Sequence, residues 1–398
     1  MSIRKRQDDN IDSRGFFLRY RKFGKLDWKV SALGFGAMRL PVLDRDSSKI
    51  DEPEAIKMIR HAIDCGLNYV DTAYPYHGGN SERLVAKALK DGYRQKVALA
   101  TKMPLRHVET HEDFDRLLNE QLDKLETDRI DFYLLHALRR MSWPKVRDLG
   151  IIAWAEEKIS EGKIGHFGFS FHDTFEMFKE IVDAYDGWTF CQIQYNYMDT
   201  ESSSKAPGIK GLKYAASKGL AVIVMEPIQG GRLAMAPPVE IQRIWNEAET
   251  RRTGAEWALQ WVWNHPEVAV VLSGMSIMRH VEENLVSAGR SGPKTLTEKE
   301  LVLVKRVKGK YNELGYIGCT KCNYCQPCPE GVLIPDIIEV LNQNYTSMME
   351  ETRSAYHIAI PVEGRASLCV ACGECEEQCP QTLPITSLMQ GTARSHDK

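Results

Sequence analysis

Gly34-Phe35-Gly36-Ala37-Met38-Arg39 follows the first apolar run of the chain, and it decides between the two architectures that repeated β/α units build. The dinucleotide fingerprint of a doubly wound sheet needs three glycines: one for a tight turn, one for close approach of backbone to pyrophosphate, one for helix–strand packing. The third glycine is missing here, which disfavours that fold. Outward from this point, from about Val30 to Ser287, short apolar runs alternate with amphipathic stretches, the pattern of parallel strands joined by helical crossovers. Eight runs have the length of a buried strand: Ser31 to Gly34, Asn68 to Asp71, Val97 to Thr101, Asp131 to His136, Ile164 to Ser170, Phe190 to Tyr195, Ala221 to Met225 and Val268 to Leu272. Eight units favour closure into an α/β (β/α)8 TIM barrel.

The intervening helices carry their own punctuation. Pro53 suits a first helical turn, Ile56, Ile59 and Ile63 form one stripe, and Gly66 closes that helix. Thr110 is an N-cap candidate for the stripe Phe114, Leu117, Leu118, Leu122 and Leu125, and Thr253 with Glu256 reads as a capping box. A second capping box, Thr297 with Glu300, starts a helix to about Tyr311. The expected organisation is a loose segment 1–18, a barrel over 19–290, a helical linker 291–318, a cysteine-rich module 319–389 and a loose segment 390–398.

With 398 residues, 43% hydrophobic and 27% charged, the chain is long enough for a barrel and a second module. A net charge of −2 gives no bulk electrostatic reason for a nucleic-acid partner, so small molecules or a protein partner are expected. Met1 to Asn10 has no apolar run behind its basic cluster and fails as a secretory signal, and no apolar stretch is long enough to span a bilayer. A cytoplasmic location is the expectation. There thiols stay reduced, so ten cysteines point to metal rather than disulfides. Cys65 and Cys191, isolated in apolar surroundings, read as small buried hydrophobes.

The other cysteines are patterned. Cys319, Cys322, Cys325 and Cys328 come at intervals of three with Pro329 after them, while Cys369, Cys372 and Cys375 are followed by Cys379-Pro380. Steps of C-x-x-C-x-x-C aim successive thiolates at one 4Fe-4S cubane, and in paired motifs the fourth cysteine of each run ligates the other cluster. Cys319, Cys322, Cys325 and Cys379 therefore form one expected site, and Cys328, Cys369, Cys372 and Cys375 the second. The alternative, two four-thiolate zinc sites, favours separated C-x-x-C knuckles over three successive steps ending in Cys-Pro. The second run resembles bacterial-type ferredoxin motifs; the first departs, with two residues rather than three before its last cysteine. Between the runs Ile337, Ile338 and Leu341 have helical spacing, so the module resembles the mostly α-helical ferredoxin type rather than a β-hairpin one.

In an eightfold barrel, functional groups project from the C-terminal ends of strands. Asp71 ends the second expected strand in Asp71-Thr72-Ala73-Tyr74-Pro75-Tyr76, Lys102 follows the third, and His136 ends the fourth. With the opening Tyr20-Arg21-Lys22-Phe23-Gly24 and the helix start Asn80-Ser81-Glu82, these positions resemble the aldo-keto reductase family from about Arg19 to Ser287. The resemblance implies a catalytic tetrad of Asp71, Tyr76, Lys102 and His136. Tyr76 would give a proton to a carbonyl oxygen as hydride reaches the carbon. A free phenol is a poor acid near neutrality, so the Lys102 ammonium assists, Asp71 holds Lys102, and His136 donates a hydrogen bond to the carbonyl. Tyr74 does not match the family position and reads as packing.

The resemblance also implies NADP(H) or NAD(H). It places the nicotinamide amide near Ser170 and Gln192, the ring against Met225, and the pyrophosphate at Gly230-Gly231, with Arg279 and the pair Glu283-Asn284 toward the ribose phosphate. Two positions depart from the family pattern: Phe171 stands where asparagine is common, and Met225 replaces a stacking aromatic. A nicotinamide moves two electrons as hydride and a cubane one at a time, so something must bridge them. Three functions follow. One is a reductase of a small carbonyl substrate with clusters coupled to redox state or to a ferredoxin or other redox partner. Another is an electron-transfer protein feeding a flavin or substrate in the barrel. The third is a redox sensor with a silent barrel. The loops 138–144 and 196–207 mix Trp143, Met198 and a serine run and leave the substrate unspecified.

Overall fold

The computed structural model describes residues 18–44, 46–343 and 349–397; the expected loose segment 1–18 lies outside them except for Leu18. A short antiparallel pair, β1 (Tyr20–Lys22) and β2 (Lys29–Ser31), precedes eight parallel strands that close into a barrel. These are β3 (Leu33–Gly36), β4 (Tyr69–Asp71), β5 (Ala98–Met103), β6 (Ile130–Leu138), β7 (Ile164–Phe171), β8 (Phe190–Gln194), β9 (Ala221–Met225) and β10 (Val268–Ser273), with β10 paired to β3.

Every barrel strand lies where apolar periodicity puts it, and the ends differ for local reasons. Ser31 belongs to β2, where it pairs with Tyr20, so the first barrel strand starts later than expected. β6 continues through His136 to Leu138, because Leu138 still pairs with Phe171 of β7 after a register shift. The β1–β2 hairpin places Phe23, fully buried, against Tyr69, Phe132 and Phe190, which stand early in β4, β6 and β8. The hairpin thus fills the N-terminal end of the barrel, and the opposite end is left for chemistry.

The helices follow the residue patterns with one substitution of roles. Helix Glu52–Asp64 has Pro53 in its first turn, and Gly66 beyond it takes φ 97, a conformation that favours glycine. Helix Glu298–Glu313 has the full Thr297–Glu300 capping box. Thr110, however, does not cap helix Glu112–Lys124: the Asp113 carboxylate accepts from the backbone N–H groups of Glu109 and Thr110 instead.

The chain divides into two compact units, the first ending at Pro227 and resuming over Ala258–Leu296, the second comprising Ile228–Trp257 and the residues from Thr297 onward. The segment 228–257, expected within the barrel, is grouped with the cysteine module. Its reasons are specific: Arg252 pairs with Glu300, Arg306 pairs with Glu247, and Arg232 lies 3.7 Å over the Tyr316 ring. The second unit is helical, with helices Ile334–Gln343, Met349–Ala359, Glu374–Gln378 and Ile385–His396 and no strand among its described residues. Ile337, Ile338, Tyr356, Ile360, Ile385 and Met389 form its core, against which the cysteines pack. The expected loose segment 390–398 is corrected here: helix Ile385–His396 runs through it, Thr392 and His396 are buried, and Arg353 donates to the Ser395 carbonyl at 2.6 Å.

Candidate active site and thiol sites

Barrel closure brings the strand-end residues together. Lys102 Nζ donates to Asp71 Oδ1 at 2.6 Å, to the Thr72 carbonyl at 2.8 Å and to the Tyr76 hydroxyl at 3.4 Å. Asp71 and Lys102 are both buried, and Tyr76 is 8% exposed. Burial pushes the Asp71 carboxyl up and the Lys102 ammonium down, and each draws the other back toward its charged form. The His136 ring meets the Tyr76 ring edge-on at 6.0 Å. Burial, reinforced by Lys102, His172, Arg106 and Arg139 nearby, holds the His136 imidazole well below its ordinary value, so it is neutral near neutral pH.

Lys102 is backed by a polar network. Glu82 Oε1 accepts from Thr101 at 2.7 Å and from Gln121 at 2.6 Å, and Gln121 also donates to the Lys102 carbonyl and accepts from Tyr133. The family position Glu82 thus fixes the strand that presents the lysine. Tyr74 turns away, donating to Glu120 at 2.9 Å with Lys124 over its ring at 3.6 Å.

The residues assigned to a nicotinamide divide. Ser170 and Gln192 are register partners on β7 and β8, both buried. Ser170 Oγ accepts from the Ala137 N–H at 2.8 Å, Gln192 Nε2 lies 3.4 Å from Met225 Sδ, and buried Gln192 Oε1 has no hydrogen-bond partner among the described residues. Phe171 faces outward, packed edge-on against Phe178 at 5.2 Å. Arg279 pairs with Glu283 at 3.4 Å in the open, whereas Asn284 is buried and donates to Ser273 at 3.0 Å. Gly230 and Gly231 belong to the second unit. A Cβ on Gly230 would stand 2.2 Å from the Thr320 carbonyl oxygen, so its glycine answers first to a packing contact; Gly231, at φ 103, has open space.

Sequence reading missed His172 and Arg106, whose one signal was a position just past a strand end. Burial holds His172 at about 3, below the ordinary 6.5, and its Nδ1 has no partner among the described residues. Between about 6.5 and about 3 the unfolded chain binds a proton that the folded chain does not, so stability falls as pH drops through that window. His172→Gln should therefore lose less melting temperature than the unaltered protein between about pH 7.5 and about pH 5.5. An equal loss in a thermal melt series would show that His172 does not carry it.

In the second unit the thiols group in two sets. Burial and the neighbouring Cys322, Cys319 and Cys379 push the Cys325 thiol up to about 12, while burial, Glu376, and the neighbouring Cys369, Cys372 and Cys328 push Cys375 up to about 11. Thiolates gathered in an apolar setting are unstable without a cation to compensate them. The Lys321 N–H donates to Cys319 Sγ at 3.4 Å, and a cavity is lined by Cys328, Cys369, Cys372 and Cys375, and also by Cys325 of the other set. Cys65 and Cys191 are buried in the barrel unit, apart from both sets.

Comparison with known proteins agrees with both halves. The profile of the aldo/keto reductase family matches residues 32–290, and the chain belongs to that family. The 4Fe-4S dicluster domain matches residues 318–383, so the protein is an oxidoreductase of aldo/keto reductase type carrying a C-terminal 4Fe-4S domain. Among its relatives is L-galactose dehydrogenase of Arabidopsis thaliana, 28% identical over 71% of this chain and 93% of that protein. Among solved structures, an aldo-keto reductase of Bacillus halodurans in its holo form is 28% identical, covering 73% of this chain and 96% of that one with a TM-score of 0.60. An aldo-keto reductase of Klebsiella pneumoniae in complex with NADPH is 25% identical, covering 73% and 95% with a TM-score of 0.58. No helix among the described residues is long and apolar enough to cross a membrane.

Proposed function

We propose that the barrel reduces a small carbonyl substrate by hydride transfer from NAD(P)H, with Tyr76 as proton donor, and that the second unit holds two 4Fe-4S clusters. The observation that carries the barrel reading is the buried Lys102 ammonium, bonded at once to Asp71 and to the Tyr76 hydroxyl. A bound nicotinamide supplies the hydride. Tyr76 delivers its proton to the carbonyl oxygen as negative charge gathers there, and Lys102 stabilises the phenolate left behind. Asp71 keeps Lys102 charged. Neutral His136 keeps an N–H to donate to the same oxygen and fix its pose.

The partnerless buried Oε1 of Gln192 suits the amide N–H of a nicotinamide, with Ser170 and Met225 beside it. Arg279 and Glu283 are the exposed pair available to a ribose phosphate; Asn284 serves through Ser273 rather than directly. The complex of the Klebsiella pneumoniae relative with NADPH favours NADP(H). For the thiols, the successive C-x-x-C-x-x-C steps suit a cubane, in which each thiolate meets a different iron, better than tetrahedral zinc, and the match to a 4Fe-4S dicluster domain supports the same reading.

His136→Ala tests the barrel reading. Turnover with NADPH and an aldehyde panel should fall by about a hundredfold, as loss of one positioned donor does, with cofactor affinity kept. Weaker cofactor binding at unchanged turnover would reassign the residue.

A further inference from the structure

The two thiol sets differ in their access to solvent. Cys372 of the second set is exposed, whereas Cys379 of the first is buried. The cavity of the second set has Val370, Pro327 and Pro329 exposed on its lining, Val370 at 63%. The charged side chains lining it are Glu330 and Glu374, both exposed, with no Lys or Arg among the described residues there. The bias extends beyond the cavity. Residues 319–389 hold three basic side chains, Lys321, Arg353 and Arg365, against nine acidic ones, in a chain whose net charge is only −2. Those three are engaged, Lys321 with Glu339, Arg353 with the Ser395 carbonyl and Arg365 with Asp397.

We propose that this apolar, acid-rimmed opening is the docking face for a one-electron carrier protein with a basic rim, seated over the second cluster on the Cys372 side. The inference rests on the reading that the thiols hold clusters. Electron transfer between proteins needs a redox centre near the surface, and an exposed ligand provides the shortest approach. Val370 and the two prolines supply a dry contact, and the surrounding negative charge steers a basic partner toward it. In each encounter one electron leaves the reduced centre and arrives at the oxidised one, with no bond or proton moved. In the first set Cys379 is buried and none of the other three thiols is as open as Cys372.

The test uses anaerobically loaded full-length protein and a basic c-type cytochrome as probe. Binding is read by calorimetry at low and high salt, and electron transfer from dithionite-reduced protein to the oxidised cytochrome by stopped flow. The pair Glu330→Lys and Glu374→Lys should weaken binding and slow the bimolecular step by about tenfold or more at low salt, with iron content and cluster absorbance kept. Glu180→Lys, on barrel helix Phe175–Asp183, should change neither. Should the lysine pair lose iron, Glu330→Gln with Glu374→Gln, which keeps side-chain shape, must weaken binding in the same direction. Unchanged binding in loaded variants, an equal effect of Glu180→Lys, or tighter binding of an acidic plant-type ferredoxin would overturn the docking face alone. Stoichiometric zinc without iron in the unaltered protein would overturn the cluster reading and the docking face with it.

Discussion

Tyr76→Phe should lower carbonyl reduction by about a hundred to ten thousandfold in kcat, while cluster content and reduction by dithionite should stay as they were. The substitution removes one oxygen and keeps the ring, so packing against His136 and beneath the Lys102 ammonium is retained. What disappears is the hydroxyl that Lys102 contacts at 3.4 Å. Because the lost interaction develops only as the carbonyl oxygen takes charge, kcat should fall with little change in cofactor affinity. Steady-state kinetics with NADPH, alongside iron analysis of the same sample, checks both halves. Retention of more than about a tenth of the turnover would mean that the proton comes from elsewhere, with water or His136 next to be tested.

Iron analysis of cysteine variants should divide the eight thiols into two sets of four. Protein handled without oxygen should hold about eight iron and eight sulfide per chain. Cys325→Ser and Cys375→Ser should each leave about half of that, since each removes one corner of a different cubane. The combinations then carry the information. Cys328→Ser with Cys375→Ser should lose no more than Cys375→Ser alone, because Cys328 is one of the thiols that neighbour Cys375. Cys325→Ser with Cys375→Ser should lose nearly all iron. If Cys328→Ser instead removed the iron that Cys325→Ser removes, the four thiols of the first run would serve a single site, and crossing between the runs would be excluded.

Much of the barrel was legible because two periodicities survive in the sequence, one for buried strands and one for amphipathic helices. The tetrad positions were legible for a related reason: barrel closure makes the ends of β4, β5 and β6 neighbours, so Asp71, Lys102 and His136 must face one space whatever lies between them. Contacts between distant segments were not legible. Nothing near Gly230 announces that the Thr320 carbonyl stands where a Cβ would go. The final helix was missed likewise. Its last turns carry small and polar side chains, and they are held by groups from other segments, Arg353 on Ser395 and the Ser367 N–H on Asp397. Phe171 illustrates the period of two along a strand: it stands next to Ser170, so its side chain leaves the barrel interior and packs on Phe178.

The cysteine pattern was legible through spacing, and the pairing of the two runs also gave the expected division into sets; what no local pattern gives is the packing that makes the runs meet. Cys379 sits among Cys319, Cys322 and Cys325 because the core built from Ile337, Ile338, Tyr356 and Ile385 folds the second run back on the first. Arg106 and His172 carried only the weak signal of a position just past a strand end, and their nearness to His136 shows only in the folded barrel.

The route of the electrons is the central question, and an isotope label decides it in one experiment. NADPH carrying deuterium on the transferred face of C4 is incubated anaerobically with loaded protein and an aldehyde, and the alcohol is examined by mass spectrometry and NMR. Direct hydride transfer beside Tyr76 and His136 predicts one deuterium on the carbinol carbon. An alcohol with hydrogen from solvent at that carbon would show that electrons reach the substrate through iron, and would contradict hydride transfer in the barrel.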